Sequence, residues 1–371
     1  MGVTDAAPAS RDRLPSLTGL RAWAALLVVT YHLSHELVRL PVASYAVQYG
    51  RSGVTLFFVL SGFVLTYTYL QTPTSRRAFY WRRFARIWPL HITALAIGAG
   101  VLWAVGDPRH VVDLLPAAAL LQSWMPVEAF DQDTVGTSWS LSNEAFFYAV
   151  FPFILAPLAA RSRRWLRWTL VLLAGYLAWH VLADAVFEGY TLKWSVDRLP
   201  LARVTQFLTG VFVGAEFAKG RRAPLSLLTT VALVVVWHML LIPYEQFAPS
   251  GFPRASSAAQ SFSFPLFTLL IWAAAQADRD RRSSPLLASR LAIRLGHWSY
   301  ALYLTHPLVI ILWLKAVGKP SGTVQGLVAW LTILVVAQLF AGVLYRLVER
   351  PAESWLRSRE PGRRKVTAVS P

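Results

Sequence analysis

Ten apolar stretches of membrane-spanning length recur along the chain, and they constrain its fold more than any other feature. A transmembrane helix needs about 20 predominantly apolar residues, with a range of about 17 to 25. The stretches lie near residues 17–37, 52–70, 86–105, 143–160, 167–186, 200–218, 224–242, 261–276, 296–315 and 325–346. The sequence therefore predicts an all-α integral membrane protein, a multi-pass bundle of about ten transmembrane helices in the cell membrane.

Composition agrees with a membrane protein and excludes several kinds of site. Of the 371 residues, 55% are hydrophobic and only 15% are charged, whereas soluble domains average about 25% charged residues. The chain has no cysteine, which excludes disulfides and thiolate metal sites. We find no metal-ligand spacing, phosphate-binding glycine loop or nucleophile elbow, so no metal cofactor is expected.

Basic residues predict the orientation of the helices. With a cytoplasmic N-terminus, 27 of the 36 lysines and arginines fall in cytoplasmic segments, so both termini are expected in the cytoplasm. Topology and anionic lipid headgroups then account for the net charge of +17, and no nucleic-acid partner is needed. We divide the chain into a cytoplasmic N-terminal segment (1–16), a membrane domain (17–350) and a basic cytoplasmic tail (351–371) expected to be disordered.

One connection between the predicted helices has a distinct character. The external connection 106–142 is the longest and is acidic, with Asp131 and Asp133 among its carboxylates and Arg109 as its one arginine. Within it, the apolar piece "VVDLLPAAALLQSW" is too short and too interrupted by proline to span. It is expected to form a re-entrant or surface helix.

Arg21 and His32 stand inside the first apolar stretch. They are eleven residues apart, so at 100° per residue they share one face of a helix and lie roughly 16 Å apart along its axis. Charged and titratable groups at membrane depth usually face a bundle interior or a cavity. A snorkelling arginine and a hydrogen-bonded histidine are the alternative reading.

Arg83 and Arg86 lie three residues apart at the cytoplasmic start of the third stretch, and residues at that spacing are neighbours on a helix. Their predicted depth matches that of Arg21, and guanidinium groups suit phosphate. Membrane anchoring is the alternative, and it is the better explanation for the nearby Arg76 and Arg77.

Further polar side chains lie in later stretches. Glu144 enters the fourth helix from outside at the depth predicted for His32, although a charge favoured by the helix N-terminus is an equal alternative. Arg203 stands in the sixth helix, where it could snorkel outward. Tyr303 and His306 lie in the ninth; a single histidine or tyrosine on an apolar face is more often structural.

Seven short motifs in a fixed order resemble the acyltransferase-3 family of integral membrane acyltransferases. The first is L-x-G-L-R with a histidine after ten further residues, matched by Leu17, Gly19, Leu20, Arg21 and His32. The others are "GVTLFFVLSGFVL", the R-x-x-R of Arg83 and Arg86, "WSLSNEAFFY", "RVTQFLTG", "SYALYLTHP" and the "ERP" at 349–351. The seven motifs together span nearly the whole chain, and their fixed order makes the match specific.

The resemblance implies transfer of an acyl group, commonly acetyl, from cytoplasmic acyl-CoA to a hydroxyl. The acceptor would be a carbohydrate, as in the cell envelope, or a glycosylated small molecule. His32 would be the general base, oriented by Glu144, or else the site of an acyl-histidine intermediate. The expected CoA ligands are Arg21, Arg83 and Arg86, and the residues expected to contact the substrate or polarise the thioester are Tyr303, His306 and Arg203.

The sequence departs from the family pattern at two positions. Ala145 replaces a second acidic residue, and Trp88 replaces a tyrosine, where the larger ring is expected to narrow the cavity entrance.

Acylation of a macrolide-type natural product is one alternative function. A transporter or flippase of anionic or lipid-linked solutes is another, although the sequence lacks the repeated halves common in transporters.

Overall fold

The described part of the chain is helical. A computed structural model describes residues 14–37, 49–107, 111–128, 136–247, 259 and 262–361. Each of the ten predicted apolar stretches coincides with a long helix in these ranges. The α-helices are α1 (Pro15–Glu36), α2 (Ser52–Gln71), α3 (Arg76–Ala104), α4 (Val111–Ala118), α5 (Trp139–Arg161), α6 (Trp165–Val186), α7 (Gly189–Asp197), α8 (Pro200–Ala218), α9 (Leu227–Phe247), α10 (Phe264–Arg279), α11 (Pro285–Ala288), α12 (Arg290–Ala316), α13 (Thr323–Leu344) and α14 (Arg350–Ser358).

Five helical segments of the described residues are long and apolar enough to cross a membrane. They are Ser52–Gln71, Arg76–Ala104, Trp139–Val186, Arg290–Ala316 and Thr323–Ser358, and the third contains both α5 and α6. Large apolar side chains also cover outward faces of the helices. Among them are Leu228, Val324 and Trp103, which are each at least 75% exposed. Such a surface is stable only against lipid, as expected of a multi-pass membrane protein.

Glycines bring the backbones of α2 and α8 into direct contact. A Cβ atom on Gly62 would collide with the carbonyl oxygen of Phe207, and a Cβ on Gly210 would collide with that of Val59. Small residues at helix interfaces allow this approach in membrane proteins. Gly210 lies against Val59 and Phe63, and Gly214, one turn further along α8, lies against Phe63 and Thr66, one turn further along α2. The two helices therefore run in the same direction.

The helices α1 and α12 also run in parallel, and this pairing carries the polar residues of α1. Gly296 of α12 lies against the backbone of Thr18 near the start of α1. One α1 end is further fixed by Asp278 of α10, whose carboxylate accepts hydrogen bonds from the Ser16 backbone N–H at 2.8 Å and from its hydroxyl at 2.6 Å. This carboxylate from α10 caps the N-terminus of α1, because the N-cap residue of α1 itself makes no side-chain hydrogen bond.

Several element boundaries differ from the sequence expectation. Helix α3 begins at Arg76, before the expected residue 86, because the Ser75 side chain caps it by accepting a hydrogen bond from the Ala78 N–H. The short helix α4 and the 3-10 turn Gln122–Trp124 confirm that "VVDLLPAAALLQSW" is too short to span. Helix α7 was not expected.

The expectation of a disordered tail is wrong for its first residues. Residues 350–358 form α14, which packs along α3. The Trp81 indole N–H donates to the Leu356 carbonyl at 2.7 Å, and Arg82 forms a two-pronged ion pair with Glu360 at 2.8 Å. Residues 1–13 and 362–371 lie outside the described residues, as do Arg109, Asp131 and Asp133 of the acidic connection.

Substitution of Gly62 by alanine is expected to destabilise the protein. The new methyl group would force apart the α2 and α8 backbones, and overpacking of this kind costs about 1 to 3 kcal/mol. The matched control is Gly100→Ala in α3, where a Cβ meets open space and alanine is the better helix former. Thermal unfolding of both variants in the same detergent should show a lower midpoint for Gly62→Ala only, and equal midpoints would contradict the close contact.

Candidate active site

Three arginines from two helices line one cavity at the end of the bundle where α1 begins, which we call the basic end. The cavity and its opening together hold about 560 Å³ of space. We call it the arginine cavity, and its polar lining residues are Arg21, Ser61, Arg83, Arg86, Glu144, Tyr148 and Tyr300. The structure therefore brings together the three predicted phosphate ligands and the predicted acid.

A second cavity continues from the first toward the opposite end of the bundle. This inner cavity and its opening together hold about 410 Å³ of space. It shares Arg21, Phe57, Glu144 and Tyr300 with the arginine cavity. Its lining adds Ser140 and Tyr303. The two cavities adjoin, and together they extend from the arginines past Glu144 to Tyr303, a line that we call the cavity path.

The three arginines differ in their partners. Arg86 is ion-paired with the buried Glu349, and its guanidinium lies 3.2 Å from Glu353. Arg83 lies over the Tyr148 ring at 5.7 Å, and its Nε makes no hydrogen bond within the described residues. Among the three, Arg83 therefore has the guanidinium least engaged by described carboxylates.

Glu144 interacts with side chains of the basic end and not with His32. Its carboxylate interacts with Arg21 and with the hydroxyl of Tyr148, one helical turn further along α5. The Tyr148 hydroxyl also lies 3.3 Å from the Ser61 hydroxyl. The expected contact between Glu144 and His32 is absent from the described residues, because Glu144 faces the cavity that Arg21 lines.

His32 is instead paired with His306. The Nε2 atom of His306 lies 3.0 Å from Nδ1 of His32, and the two ring centroids are 5.0 Å apart. His32 is partly exposed, whereas His306 is fully buried. The parallel packing of α1 and α12 creates this pair, since it places corresponding turns of the two helices side by side.

Tyr303 connects the inner cavity to the histidine pair. Its ring centroid lies 6.4 Å from that of His306, and its hydroxyl donates to the Thr137 carbonyl at 3.1 Å. The Thr137 hydroxyl in turn donates to the Tyr303 carbonyl at 3.0 Å. These two bonds tie α12 to the start of α5 and fix the Tyr303 ring at the end of the cavity path.

Arg203 and Trp88 lie away from the cavity path. Arg203 is completely buried and sits over the rings of Phe58 and Trp139, at 5.5 and 5.8 Å. It does not snorkel to the surface. Trp88 is exposed and stacks on Phe84, so the expectation that it narrows the entrance is wrong.

Two arginines, Arg51 and Arg198, lie on the side of His32 that faces away from the basic end. Arg51 forms an ion pair with Asp197 at 3.2 Å and lies over the Tyr31 ring at 5.8 Å. Arg198 lies 4.3 Å from the Trp139 ring. Both arginines act electrostatically on His32, so the side of the bundle beyond the histidine pair is also cationic.

Sequence reasoning missed Tyr148, Ser61 and the role of Glu349. Tyr148 follows Glu144 by four residues, a spacing that places both on one helix face, so its contribution was available from the sequence. Glu349 was noted only as part of the "ERP" motif. Its pairing with Arg86 joins residues 263 positions apart, and no local pattern predicts such a contact.

Comparison with known proteins identifies the family. The model described as "Acyltransferase domain", of the acyltransferase-3 family, matches residues 14–346. No solved structure matches the chain.

Three relatives show the range of similarity. "Acyltransferase MdmB" of Streptomyces mycarofaciens is 30% identical, over 97% of this chain and 95% of its own length. "Putative peptidoglycan O-acetyltransferase YrhL" of Bacillus subtilis is 25% identical over 91% of this chain and 54% of its own length. A "Putative O-acetyltransferase" of Staphylococcus aureus is 30% identical over 39% of this chain and 25% of its own length. The resemblance carried by the seven motifs is thereby confirmed, and the chain belongs to the acyltransferase-3 family of multi-pass membrane acyltransferases.

Proposed function

We propose that this protein transfers an acyl group, acetyl in the simplest case, from cytoplasmic acyl-CoA to a hydroxyl of a carbohydrate or glycosylated acceptor. The observation that carries the proposal is the pair of adjoining cavities that extend from the three arginines to Tyr303, beside the histidine pair. Names of two relatives, both O-acetyltransferases, support a hydroxyl as the acceptor group.

The donor would bind with its phosphates at the basic end. Guanidinium groups bind phosphate through paired, charge-assisted hydrogen bonds, and Arg21, Arg83 and Arg86 line one cavity there. The pantetheine arm would follow the path toward Tyr303. Arg21 and His32 lie roughly 16 Å apart along α1, so the nucleotide would remain at the membrane surface while the thioester approaches the histidine.

His32 would act as the general base. In the transfer step, a ring nitrogen of His32 takes the proton of the acceptor hydroxyl while the hydroxyl oxygen attacks the thioester carbonyl carbon. The carbon–sulfur bond then breaks, and the CoA thiolate leaves with the proton that His32 returns. The products are an ester and free CoA, and the histidine is unchanged.

The helix packing supports a ten-span topology with cytoplasmic termini. In such a topology α1 and α12 are the first and ninth spans, and α2 and α8 are the second and sixth. Spans whose positions are both odd or both even must run in the same direction. Both pairs do so, since Gly210 and Gly214 follow α2 and since Gly296 and His306 follow α1 from Thr18 to His32. The excess of arginine at the basic end supports a cytoplasmic position for that end.

Replacement of His32 by alanine should abolish transfer while the protein still folds. A positioned general base contributes about 10²- to 10⁴-fold to a rate, and a partly exposed side chain contributes little to stability. The control is His35→Ala, an exposed histidine of the same helix, which should retain full activity. Transfer from radiolabelled acetyl-CoA in detergent is the measurement, and normal turnover by a well-folded His32→Ala variant would remove His32 from the mechanism.

The two cavity arginines of α3 should differ in the effect of their loss, because Arg86 is ion-paired with the buried Glu349 and Arg83 is not. Arg83→Gln should raise the KM for acyl-CoA by about tenfold or more, since a hydrogen bond to a charged group contributes about 1.5 to 3 kcal/mol. Arg86→Gln should lower the unfolding temperature, because it leaves Glu349 buried without its counter-ion, at a cost of about 3 to 5 kcal/mol.

Two further variants control this comparison. Arg77→Gln removes an exposed arginine of the same helix and should leave both quantities unchanged. The double variant Arg86→Gln with Glu349→Gln should recover part of the lost stability. A KM that rises for Arg77→Gln and not for Arg83→Gln would place the donor phosphates outside the arginine cavity.

A further inference from the structure

Three short contacts of the histidine pair together indicate which ring nitrogens carry a proton. Nδ1 of His32 lies 3.0 Å from the Val28 carbonyl oxygen, and Nδ1 of His306 lies 3.0 Å from the Leu302 carbonyl oxygen. Nε2 of His306 lies 3.0 Å from Nδ1 of His32. A carbonyl oxygen only accepts hydrogen bonds, and a neutral imidazole has one N–H donor and one acceptor nitrogen.

One assignment of tautomers satisfies all three contacts. With a proton on each Nδ1, His306 donates to Leu302, and His32 donates a shared hydrogen bond to Val28 and to Nε2 of His306. With a proton on Nε2 of each ring instead, both Nδ1 lone pairs would face carbonyl oxygens at 3.0 Å and repel them. The first assignment leaves the Nε2 atom of His32 as the unprotonated nitrogen, with no hydrogen bond among the described residues.

We propose that His306 is the positioning residue of the base: together with the Val28 carbonyl, it accepts a hydrogen bond from Nδ1–H of His32 and so holds His32 in the tautomer whose free lone pair is on Nε2. This inference rests on the proposed function of His32. Nε2 of His32 then accepts the hydroxyl proton, and its Nδ1–H continues to donate to Nε2 of His306 while the ring is positively charged. The proton passes to the CoA thiolate, and both histidines return to their starting tautomers.

Burial and charge favour His306 over other residues for this role. His306 is completely buried and uses both ring nitrogens, so it acts on substrate only through His32. Glu144, the residue expected to orient the base, interacts with Arg21 instead. Arg51 and Arg198 also act on His32, but cations do not stabilise an imidazolium, whereas the neutral Nε2 of His306 accepts its N–H.

Nitrogen NMR of the full chain tests the tautomer directly and independently of catalysis. The sample is the full-length protein in detergent with ¹⁵N-labelled histidine, and the signals of His32 are assigned by their loss in His32→Gln. The expected spectrum shows a protonated Nδ1 and an unprotonated Nε2 for His32. In His306→Leu the fraction protonated on Nε2 should rise. A proton on Nε2 of His32 in the native protein would overturn the proposal even if the protein transfers acyl groups.

Kinetics of two His306 variants test the positioning role. Glutamine keeps an acceptor oxygen near the position of Nε2, whereas leucine removes it. His306→Leu should lower kcat by about 10- to 100-fold, as loss of a residue that orients a functional group typically does, with an unchanged KM for acetyl-CoA. His306→Gln should retain most of kcat.

A second buried histidine controls for packing. His91 of α3 is also fully buried and bonded to a carbonyl, that of Ala117 at 2.8 Å, so His91→Leu should match His306→Leu in stability loss and retain kcat. Equal kcat values for His306→Leu and the native protein would overturn the proposal, as would equal losses in His306→Gln and His306→Leu. Absence of acetyl-CoA turnover in the native protein would refute the proposed function, and the NMR result would still decide the tautomer.

Discussion

A charged side chain inside an apolar helical bundle is stable only when a counter-ion, a hydrogen bond or water meets it, and this requirement organises the centre of the protein. Arg86 is met by Glu349 and Glu353, which come from the end of the membrane domain and from α14. Arg21 is met by Glu144. The carboxylates therefore hold the arginines at one cavity, and α14 supports the site through the contact of Glu353 with Arg86.

Two parallel helix pairs supply the frame in which these groups lie. Glycine contacts bring α2 against α8, and α2 contributes Phe57 and Ser61 to the cavities. The α1 and α12 pair places His32 beside His306. Since both contacts are backbone to backbone, small changes at the interface shift whole helices. The site thus depends on packing that lies outside its own lining.

The sequence predicted the parts of this arrangement that follow from local pattern. Apolar length located the long helices, and helical spacing placed Arg21 and His32 on one face and Arg83 beside Arg86. The partners of these residues were not predictable, because they are set by tertiary contacts. Glu144 was expected beside His32 from a depth argument alone, yet depth does not specify which side of a helix faces which neighbour. The Arg86–Glu349 and His32–His306 pairs join distant parts of the chain for the same reason, and the helix α14 was missed because its charged composition resembles a disordered tail.

The proposed function binds the donor phosphates at the basic end, with His32 roughly 16 Å further along α1. Its central claim is therefore that the acceptor approaches the histidine pair from the opposite face of the membrane. The test uses sealed vesicles in which the basic end of every molecule faces the interior. Radiolabelled acetyl-CoA is enclosed in the vesicles, and a saccharide that cannot cross the membrane is added outside. This saccharide is chosen because it accepts the label when the protein is in detergent. The account predicts that the external saccharide becomes labelled while the vesicles remain sealed. Labelling only when both substrates are on the same side would contradict the arrangement.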